Sequence, residues 1–330
     1  MSPTSHGGHS PAFVESVAGL SAGGVATLIV HPLDIVKTRM QIYRSSVAGP
    51  QIPPTTIAVI RSLTQNPRPV ASLYRGLGPN LIGNATSWAS FFFFKSRVER
   101  AVATWKTRAS PESDTGTRVP TKETLASYDF FISSAIAGAL TQVLTNPIWV
   151  LKTRMLSSDR SAEGAYPSMI VGARRIYATE GLRGFYRGLA VGLVGVSHGA
   201  VQFAVYDPLK RMYLRGKGLP ERLDQSQGGD GETARLGNEA TIAISSVAKL
   251  TAGAVTYPYQ VLRSRLQNYD ADKRFGRGIR GAASMLWREE GIRGFYRGLV
   301  PGVVRVMPAT WVTFLVYENV KYYLPRLLGE

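Results

Sequence analysis

Six stretches of the chain are rich in apolar residues, glycine, alanine and serine, and carry almost no charge until their ends. Each is long enough to cross a bilayer as a helix, although none holds an unbroken run of about 18 apolar residues. Weak hydropathy of this kind fits helices with one face toward lipid and a polar face along a water-filled cavity. The pattern predicts an all-α membrane protein with six transmembrane helices, near residues 12–38, 78–100, 127–155, 188–211, 239–266 and 300–322.

The first, third and fifth stretches each end in a proline followed by polar and charged residues. The sequences are HPLDIVKTRMQ, NPIWVLKTRML and YPYQVLRSRLQ, and Pro32, Pro147 and Pro258 are 115 and 111 residues apart. The tetrapeptide Tyr-Arg-Gly-Leu recurs downstream of each proline, with spacings of 112 and 110 residues. Two independent markers that share one period indicate a threefold tandem repeat. The predicted repeats are residues 1–110, 111–225 and 226–330.

The segments that connect the stretches differ in charge according to their place in the repeat. Those within a repeat are basic and contain short amphipathic sequences such as GIRGAASMLWREEG. Those between repeats, around 104–125 and 214–238, are polar and typical of linkers. With six helices, both termini share one side of the membrane with the linkers. The basic segments then face the other side, where anionic lipid headgroups attract them.

Composition alone would suggest a different class of protein. The net charge of +17 over 330 residues favours nucleic acid as a partner, so a basic membrane-associated nucleic-acid binder is kept as an alternative. That alternative predicts cations clustered on one soluble helix, whereas here they recur at helix ends in every repeat. The chain has no cysteine, and neither a metal-site pattern nor a hydrolytic grouping occurs. We therefore expect no enzyme, no metal and no cofactor.

The charged residues after the first proline can be placed on a helix by their spacing. Asp34, Lys37 and Gln41 lie three and four residues apart and so share one face. Pro32 removes one backbone hydrogen bond and is expected to bend the helix inward, as are Pro147 and Pro258. Three bent ends would converge and let charges pair across a ring, because unpaired charges are costly in lipid. The sequence thus predicts a closed mouth at this end.

The repeated Pro-x-[Asp/Glu]-x-x-[Lys/Arg]-x-Arg pattern, followed by aromatic-Arg-Gly, resembles the mitochondrial carrier family. Three copies at a period near 110 residues make a specific match. The resemblance implies six helices in a pseudo-threefold bundle around a central cavity, with short amphipathic helices on the matrix side. It also implies the inner mitochondrial membrane, termini toward the intermembrane space, a monomer, and cardiolipin bound near Gly76, Gly188 and Gly298.

In this family the proline motifs form a matrix gate in which each carboxylate pairs with the cation of the next repeat. Only the first carboxylate is present here, so Asp34 is expected to pair with Lys152. Trp149 either holds Arg263 through a cation–π contact or packs against neighbouring helices, and Gln260 is expected to hydrogen-bond Lys37. The resemblance also assigns Gln41 and Gln267 as braces beneath these pairs. Tryptophan and glutamine at these two positions resemble the FAD and folate branch of carriers.

The opposite mouth carries the family pattern [Phe/Tyr]-[Asp/Glu]-x-x-[Lys/Arg] in two repeats, as YDPLK and YENVK, whereas the first repeat reads FKSRV without the acid. The resemblance makes these residues a cytoplasmic-side gate, with Asp207 and Lys321 as its best pair. Because one carboxylate is missing, we expect this gate to be weak. Its predicted residues are Asp207, Lys210, Glu318 and Lys321.

Substrate contacts in the family lie midway along the helices. Arg305 falls at the main contact position of the sixth helix, and Lys249 is a lone membrane lysine that breaks the threefold symmetry. Both are expected to bind anionic groups, unless Lys249 pairs with an acid or snorkels, and Trp88 is expected to stack on a ring. The remaining predicted contacts are Gly83, Asn84, Val194, Gly195 and His198.

The predicted substrate is a small anion with a flat ring. We expect an alternating-access carrier for FAD or a folate-type anion, which would be transported and would not act as a cofactor. A carrier of NAD or pyrimidine nucleotides is the alternative within the same family.

Overall fold

The computed structural model describes residues 11–43, 54–109, 127–157, 165–217 and 238–327, and all regular structure within these ranges is helical. Thirteen helices occur there. They are α1 (Pro11–Ile42), α2 (Thr56–Thr64), α3 (Pro69–Leu73), α4 (Leu77–Ala109), α5 (Ser127–Leu156), α6 (Met169–Phe185), α7 (Leu189–Val194), α8 (Ser197–Gly216), α9 (Asn238–Val255), α10 (Tyr257–Gln267), α11 (Ala271–Phe275), α12 (Gly278–Phe295) and α13 (Leu299–Leu327).

Each of the six predicted long helices corresponds to a helical segment, but two of the six are interrupted. The fourth is divided into α7 and α8 at Gly195–Val196, and the fifth into α9 and α10 at Thr256. Pro258 therefore lies in the first turn of α10, where its missing N–H costs no helical hydrogen bond. Pro32 and Pro147 lie inside the continuous helices α1 and α5, so the inward bend predicted there stays a prediction.

A left-handed glycine starts the second long helix of every repeat. Gly76, Gly188 and Gly298 have φ of 72°, 71° and 84°, and the helices α4, α7 and α13 begin at the following leucine. A side chain at such a φ is sterically disfavoured, which explains why Tyr-Arg-Gly-Leu has glycine at its third position. The recurring tetrapeptide is thus the turn that leads the chain back into the bundle.

The short helices that precede these turns differ between the first repeat and the other two. In the second and third repeats, α6 and α12 bend at Gly181 and Gly291, whose φ values are 63° and 59°. In the first repeat, Arg68-Pro69 replaces Glu-Gly, and Pro69 begins a separate helix α3. Both arrangements turn the chain toward the bundle, but by different local structure.

Large buried side chains concentrate at the end of the bundle that carries the proline motifs. One cluster joins Ile35 and Leu63 with the end of α5, and further clusters lie under α6, α11 and α12. Toward the other end, the buried residues are mostly small, including Ala18, Ala22 and Ala252, which lets helices approach closely. The end with the proline motifs is therefore the one held together by large buried side chains.

Much apolar surface of the long helices faces outward. Four segments are long and apolar enough to cross a membrane, and at most a third of each apolar window is buried. Trp311 and Phe314 on α13 are examples, with exposed fractions of 70% and 68%. Exposed apolar surface of this extent is typical of a lipid-facing protein. The four segments are Val14–Ile42, Tyr128–Leu156, Leu189–Gly216 and Leu299–Leu324.

Candidate functional site

A polar cavity of about 430 Å³, called the main cavity below, lies above the place where α1, α5 and α10 converge. Its described lining contains four cations, Lys37, Lys152, Arg263 and Arg305, against the single carboxylate Asp34. The imbalance makes the cavity strongly attractive to an anion. The other lining residues are Thr38, Gln41, Asn80, Asn84, Trp149, Thr153, Gly195, His198, Tyr259, Gln260, Ser264 and Gln267.

Asp34 contacts cations from both other repeats. Its Oδ2 lies 3.5 Å from Lys152 Nζ on α5, and its Oδ1 accepts a 2.8 Å bond from Arg305 Nη1 on α13. The Lys152 contact is the pairing expected from the sequence. The Arg305 contact is shorter and was not foreseen, because it joins residues far apart in the chain. One carboxylate thus holds the first helix against two others.

Asn80, a residue that sequence reasoning missed, orients the Asp34 carboxylate. Its amide donates one bond to Asp34 Oδ2 at 3.1 Å and another to His31 Nδ1 at 3.0 Å. Asn84, one turn further along α4, donates to Thr27 Oγ1 at 3.2 Å. Two polar residues four positions apart in an apolar helix were a signal in the sequence that could have identified this face.

The first and third repeats are joined by hydrogen bonds between α1 and α10. Lys37 Nζ donates to Gln260 Oε1 at 2.9 Å, as expected from the sequence. Gln41, predicted as a brace, accepts from Ser264 at 2.7 Å and donates to the Tyr257 hydroxyl at 3.1 Å. The missing carboxylate at position 260 is therefore replaced by a neutral acceptor that still satisfies the lysine.

The second and third repeats are joined without any ion pair between their proline motifs. Thr153 donates to Gln267 Oε1 at 3.0 Å, which connects the second predicted brace to α5. Trp149 does not hold Arg263: its ring lies 5.0 Å from Lys152 Nζ, which is three residues further along the same helix. Within the described part of the chain, Arg263 has no hydrogen bond or ion pair and lines the main cavity. The expected Trp149–Arg263 contact was wrong, since Lys152 shares the helix face of Trp149.

Beneath this layer, an arginine of each repeat binds the main chain of the next. The Nε groups donate to carbonyl oxygens that end the proline-motif helices, which closes a ring of three equivalent bonds. They run from Arg39 to Leu156 (3.3 Å), from Arg154 to Gln267 (3.0 Å) and from Arg265 to Gln41 (3.1 Å).

In the second and third repeats the same arginine also binds a glutamate, which lies on α6 or α12. Arg154 makes two bonds to Glu180, at 2.5 and 3.0 Å, and Arg265 pairs with Glu290 at 2.6 Å. Burial opposes ionisation of Glu180, but the bonds and charges of Arg154 and Arg187 outweigh it and hold its pKa below the ordinary value. Arg187 further reaches Asp272 of the third repeat at 2.9 Å.

The residue before each proline ties its helix to the Tyr-Arg-Gly-Leu turn of the same repeat. Three chemically different side chains donate to the carbonyl of the arginine in that turn. The bonds run from His31 Nε2 to Arg75 (2.9 Å), from Asn146 Nδ2 to Arg187 (3.4 Å) and from the Tyr257 hydroxyl to Arg297 (3.2 Å). Together with the inter-repeat bonds, they form what we call the closed end.

The predicted substrate contacts are only partly brought together. Arg305, Asn84, Gly195 and His198 line the main cavity, and Lys249 lines a smaller side pocket that opens beside it. Thr256 Oγ1 donates to the Ala252 carbonyl, so His198 Nδ1 is the donor in its 2.9 Å contact with Thr256. The predicted contacts with polar side chains in the main cavity thus come from α4, α8 and α13.

Three of the predicted contacts lie elsewhere. Trp88 is 64% exposed, stacks on Phe92 at 5.8 Å and lines neither cavity. Val194 is exposed and also lines neither. At Gly83 an added Cβ would meet Ile148 at 3.2 Å, so this glycine serves the close approach of α4 and α5. The spacing of the sequence repeats predicted how far along its helix each of these residues lies. It did not predict the direction in which each side chain points.

The residues predicted for the opposite gate are not brought together. Among the described residues, Asp207, Lys210 and Glu318 form no ion pair or hydrogen bond. Lys321 lies 3.9 Å from Glu15, and both side chains are at least half exposed. The expected Asp207–Lys321 pair is absent from this conformation, in which α8 packs mainly on α9 and α13 mainly on α1. We call this the open end.

A helical bundle with outward apolar faces and a cation-rich cavity, closed at one end and open at the other, defines a membrane carrier for anions. The chain belongs to the mitochondrial carrier protein family, whose pattern matches residues 8–104, 123–217 and 236–327. Members of this family are transporters. The family expected from the sequence is therefore confirmed.

Individual relatives agree with the branch expected from Trp149 and Gln260. The chain is 37% identical to the mitochondrial FAD carrier protein FLX1 of Saccharomyces cerevisiae, over 96% of this chain and 98% of the relative. It is 34% identical to the chloroplastic folate transporter 1 of Arabidopsis thaliana, over 92% and 93% of the two chains. It is 32% identical to the chloroplastic nicotinamide adenine dinucleotide transporter 1 of the same plant, over 98% and 96%.

Proposed function

We propose that the protein moves FAD across the inner mitochondrial membrane by alternating access. The observation that supports this most directly is the main cavity, in which four cations face one carboxylate at a closed end. A dinucleotide brings negative phosphates that such a cavity attracts. The similarity to the yeast FAD carrier over nearly the whole of both chains favours FAD among the anions that fit. We expect transport without catalysis.

The proposed architecture has six membrane-spanning segments around the main cavity, two in each of the repeats 1–110, 111–225 and 226–330. The spanning segments are α1, α4, α5, α7 with α8, α9 with α10, and α13. The short helices α2, α3, α6, α11 and α12 then lie at the matrix surface, and both termini face the intermembrane space. The conformation is the one open to that space. The protein is proposed to act as a monomer, with cardiolipin bound at the left-handed glycines.

Substrate binding can be coupled to the closed end through Arg305. The guanidinium contacts Asp34 at 2.8 Å and also lines the main cavity, so a substrate phosphate and Asp34 would compete for it. Arg305 leaving Asp34 would remove the shorter of the two ion pairs at that carboxylate. Transport would then begin with a weaker contact between α1 and α13.

The test is uptake of radiolabelled FAD, folate, NAD and UTP into liposomes that contain the purified full chain. We expect FAD uptake to saturate and to fall at least tenfold in Arg305→Ala, with Arg305→Lys also impaired because an ammonium cannot make bidentate contacts. Arg326→Ala, an exposed cation distant from both cavities, is the matched control. FAD uptake equal to that of protein-free liposomes would overturn the proposal.

A folate-type anion is the second candidate, favoured by the 34% identity to a folate transporter. Carriage of NAD or a pyrimidine nucleotide remains the alternative within the family, and the same assay separates these substrates. Nucleic-acid binding is disfavoured, because Lys37, Lys152 and Arg263 line a cavity of about 430 Å³, which is too small for a duplex.

A further inference from the structure

A side pocket of about 150 Å³ opens beside the main cavity, between α9 with α10 and α13. The two share four lining residues, so they lie next to each other. The shared residues are Lys37, His198, Gln260 and Arg305.

The chemistry of the side pocket differs from that of the main cavity. Apart from the shared residues, Lys249 is the only charged group among its described lining. The remainder is apolar or aromatic and would receive a hydrophobic group. These residues are Leu250, Gly253, Tyr257, Leu299, Gly302, Val303 and Val306.

Two glycines keep this pocket open. A Cβ at Gly253 would meet no heavy atom within 4 Å, and one at Gly302 would lie 3.6 Å from Lys37 and Tyr257, an ordinary contact. A cavity of about 150 Å³ in an engineered protein core holds one benzene ring. A pocket of this volume that is open on one side therefore suits a flat ring system of one to two rings.

Arg305 offers a further donor at the junction of the two spaces. Its Nη1 is bound to Asp34, while its Nε is buried and without a hydrogen-bond partner in the part of the chain that the structure describes. Buried donors are normally satisfied, so an acceptor on a bound ligand would complete this group. Lys249 adds a positive charge on the α9 side of the pocket.

We propose that the side pocket binds the flat bicyclic base of the substrate, while its anionic groups occupy the main cavity. This inference rests on the proposed function and assigns the parts of the substrate to two places. For FAD the base in the pocket is adenine, because the three-ring flavin is too large. For a folate-type anion it is the pterin. Trp88 was expected to contact the ring of the substrate but stacks on Phe92 outside both cavities. This pocket is proposed to contact the ring in its place.

The experiment fills the pocket without changing any charge. Gly253→Leu places an apolar side chain where the structure has open space, and leucine favours a helix more than glycine does. Gly302→Ala fills a smaller part. Gly199→Leu on α8 is the matched control, since it also has no atom within 4 Å and lines neither cavity.

Binding to the purified full-length protein in detergent is measured by calorimetry and by ligand-induced thermal stabilisation, with FAD, ADP, FMN and inorganic pyrophosphate as probes. In Gly253→Leu we expect affinity for FAD and ADP to fall about tenfold or more. Affinity for pyrophosphate and FMN, which lack the base, should stay within about twofold of the wild type. Gly302→Ala should give a smaller loss, and Gly199→Leu none.

A second comparison uses folate and p-aminobenzoylglutamate, which lacks the pterin. In Gly253→Leu, affinity should fall for folate only. Unchanged FAD and folate binding in Gly253→Leu would overturn the inference, as would an equal loss for pyrophosphate. A loss for FMN without a loss for ADP would assign the pocket to the flavin and contradict the bicyclic base. If the wild type binds FAD and the variant binds it equally, only this inference fails. If the wild type binds none of the probes, the proposed function fails with it.

Discussion

The closed end and the open end of the bundle carry related charge motifs but differ in contact between repeats. At the closed end, two of the three motif carboxylates are replaced, by Trp149 and Gln260, yet all three repeats are joined. At the open end, Asp207 and Glu318 are both present with their lysines, and neither forms an ion pair among the described residues. The number of charged residues in a motif therefore does not decide whether an end is closed.

Several kinds of hydrogen bond join the three repeats at the closed end. Gln260 accepts from Lys37, Thr153 donates to Gln267, and three arginines donate to main-chain carbonyls. Buried apolar side chains under α2, α6 and α12 add packing, and no such cluster occurs at the open end among the described residues. Hydrogen bonds to neutral acceptors replace ion pairs here at a smaller desolvation cost.

Removing the charge of Asp34 should weaken the closed end most. Asp34→Asn keeps the shape but leaves Lys152 and Arg305 without an ionic partner, and removing one member of a buried pair costs about 3 kcal/mol of unfolding free energy. We expect a lower thermal midpoint in detergent and almost no uptake. Asp207→Asn at the open end is the matched control and should melt like the wild type. Equal midpoints for both variants would contradict the comparison.

Glu180 is expected to make the closed end sensitive to acid. Its pKa in the folded protein is below the ordinary value, so its contribution is complete above the ordinary pKa of a glutamate. That contribution is lost as pH falls through the lower folded pKa. Glu180→Gln should cost about 2 kcal/mol at neutral pH and reduce the loss of stability in acid.

Thermal midpoints measured between neutral and acidic pH check this expectation. Glu318→Gln, at the open end, is the control and should melt like the wild type at neutral pH. Parallel profiles for wild type and Glu180→Gln would show that Arg154 and Arg187 do not depend on this carboxylate.

The Tyr257 hydroxyl joins α10 to the turn before α13, and removing it tests this contact. Tyr257→Phe removes the donor to the Arg297 carbonyl and the acceptor for Gln41, and should cost about 1 kcal/mol. Tyr322→Phe, exposed at the open end, supplies the control. Chemical denaturation in mixed micelles measures both variants. A Tyr257→Phe midpoint equal to that of Tyr322→Phe would show that this hydroxyl does not contribute to stability.

The smallest effect is expected at the open end itself. Lys321 and Glu15 are 3.9 Å apart and largely exposed, and such pairs contribute about 0.5 kcal/mol or less. Lys321→Gln should therefore leave the thermal midpoint within error. A marked fall would mean that this end is held together more firmly than its contacts indicate.

Much of the fold was predictable because each repeat carries its own markers. The proline motif and Tyr-Arg-Gly-Leu located both long helices of a repeat, and their threefold recurrence excluded accidental matches. The breaks at Thr256 and at Gly195–Val196 were not predictable, because the corresponding helices α1, α4, α5 and α13 run through the same positions unbroken. Tertiary packing decides there between a continuous and a divided helix.

The site was predictable where the threefold relation fixes both partners, as for Lys37 with Gln260. The site was not predictable where the threefold symmetry is broken. The Asp34–Arg305 bond joins the first and last long helices, and no spacing in one repeat reveals it. Trp149 was assigned by analogy with a missing carboxylate, although Lys152 three residues along was the nearer cation. Trp88 had the expected depth but faces away from the cavity.

The surplus of positive charge in the main cavity has a consequence for how binding is measured. Four cations beside one carboxylate attract small anions from any solution in which the protein is studied. A substrate would then have to displace such anions as it binds. The measured dissociation constant should therefore depend on the anion of the buffer. Sulfate or phosphate should weaken substrate binding more than chloride does at equal ionic strength.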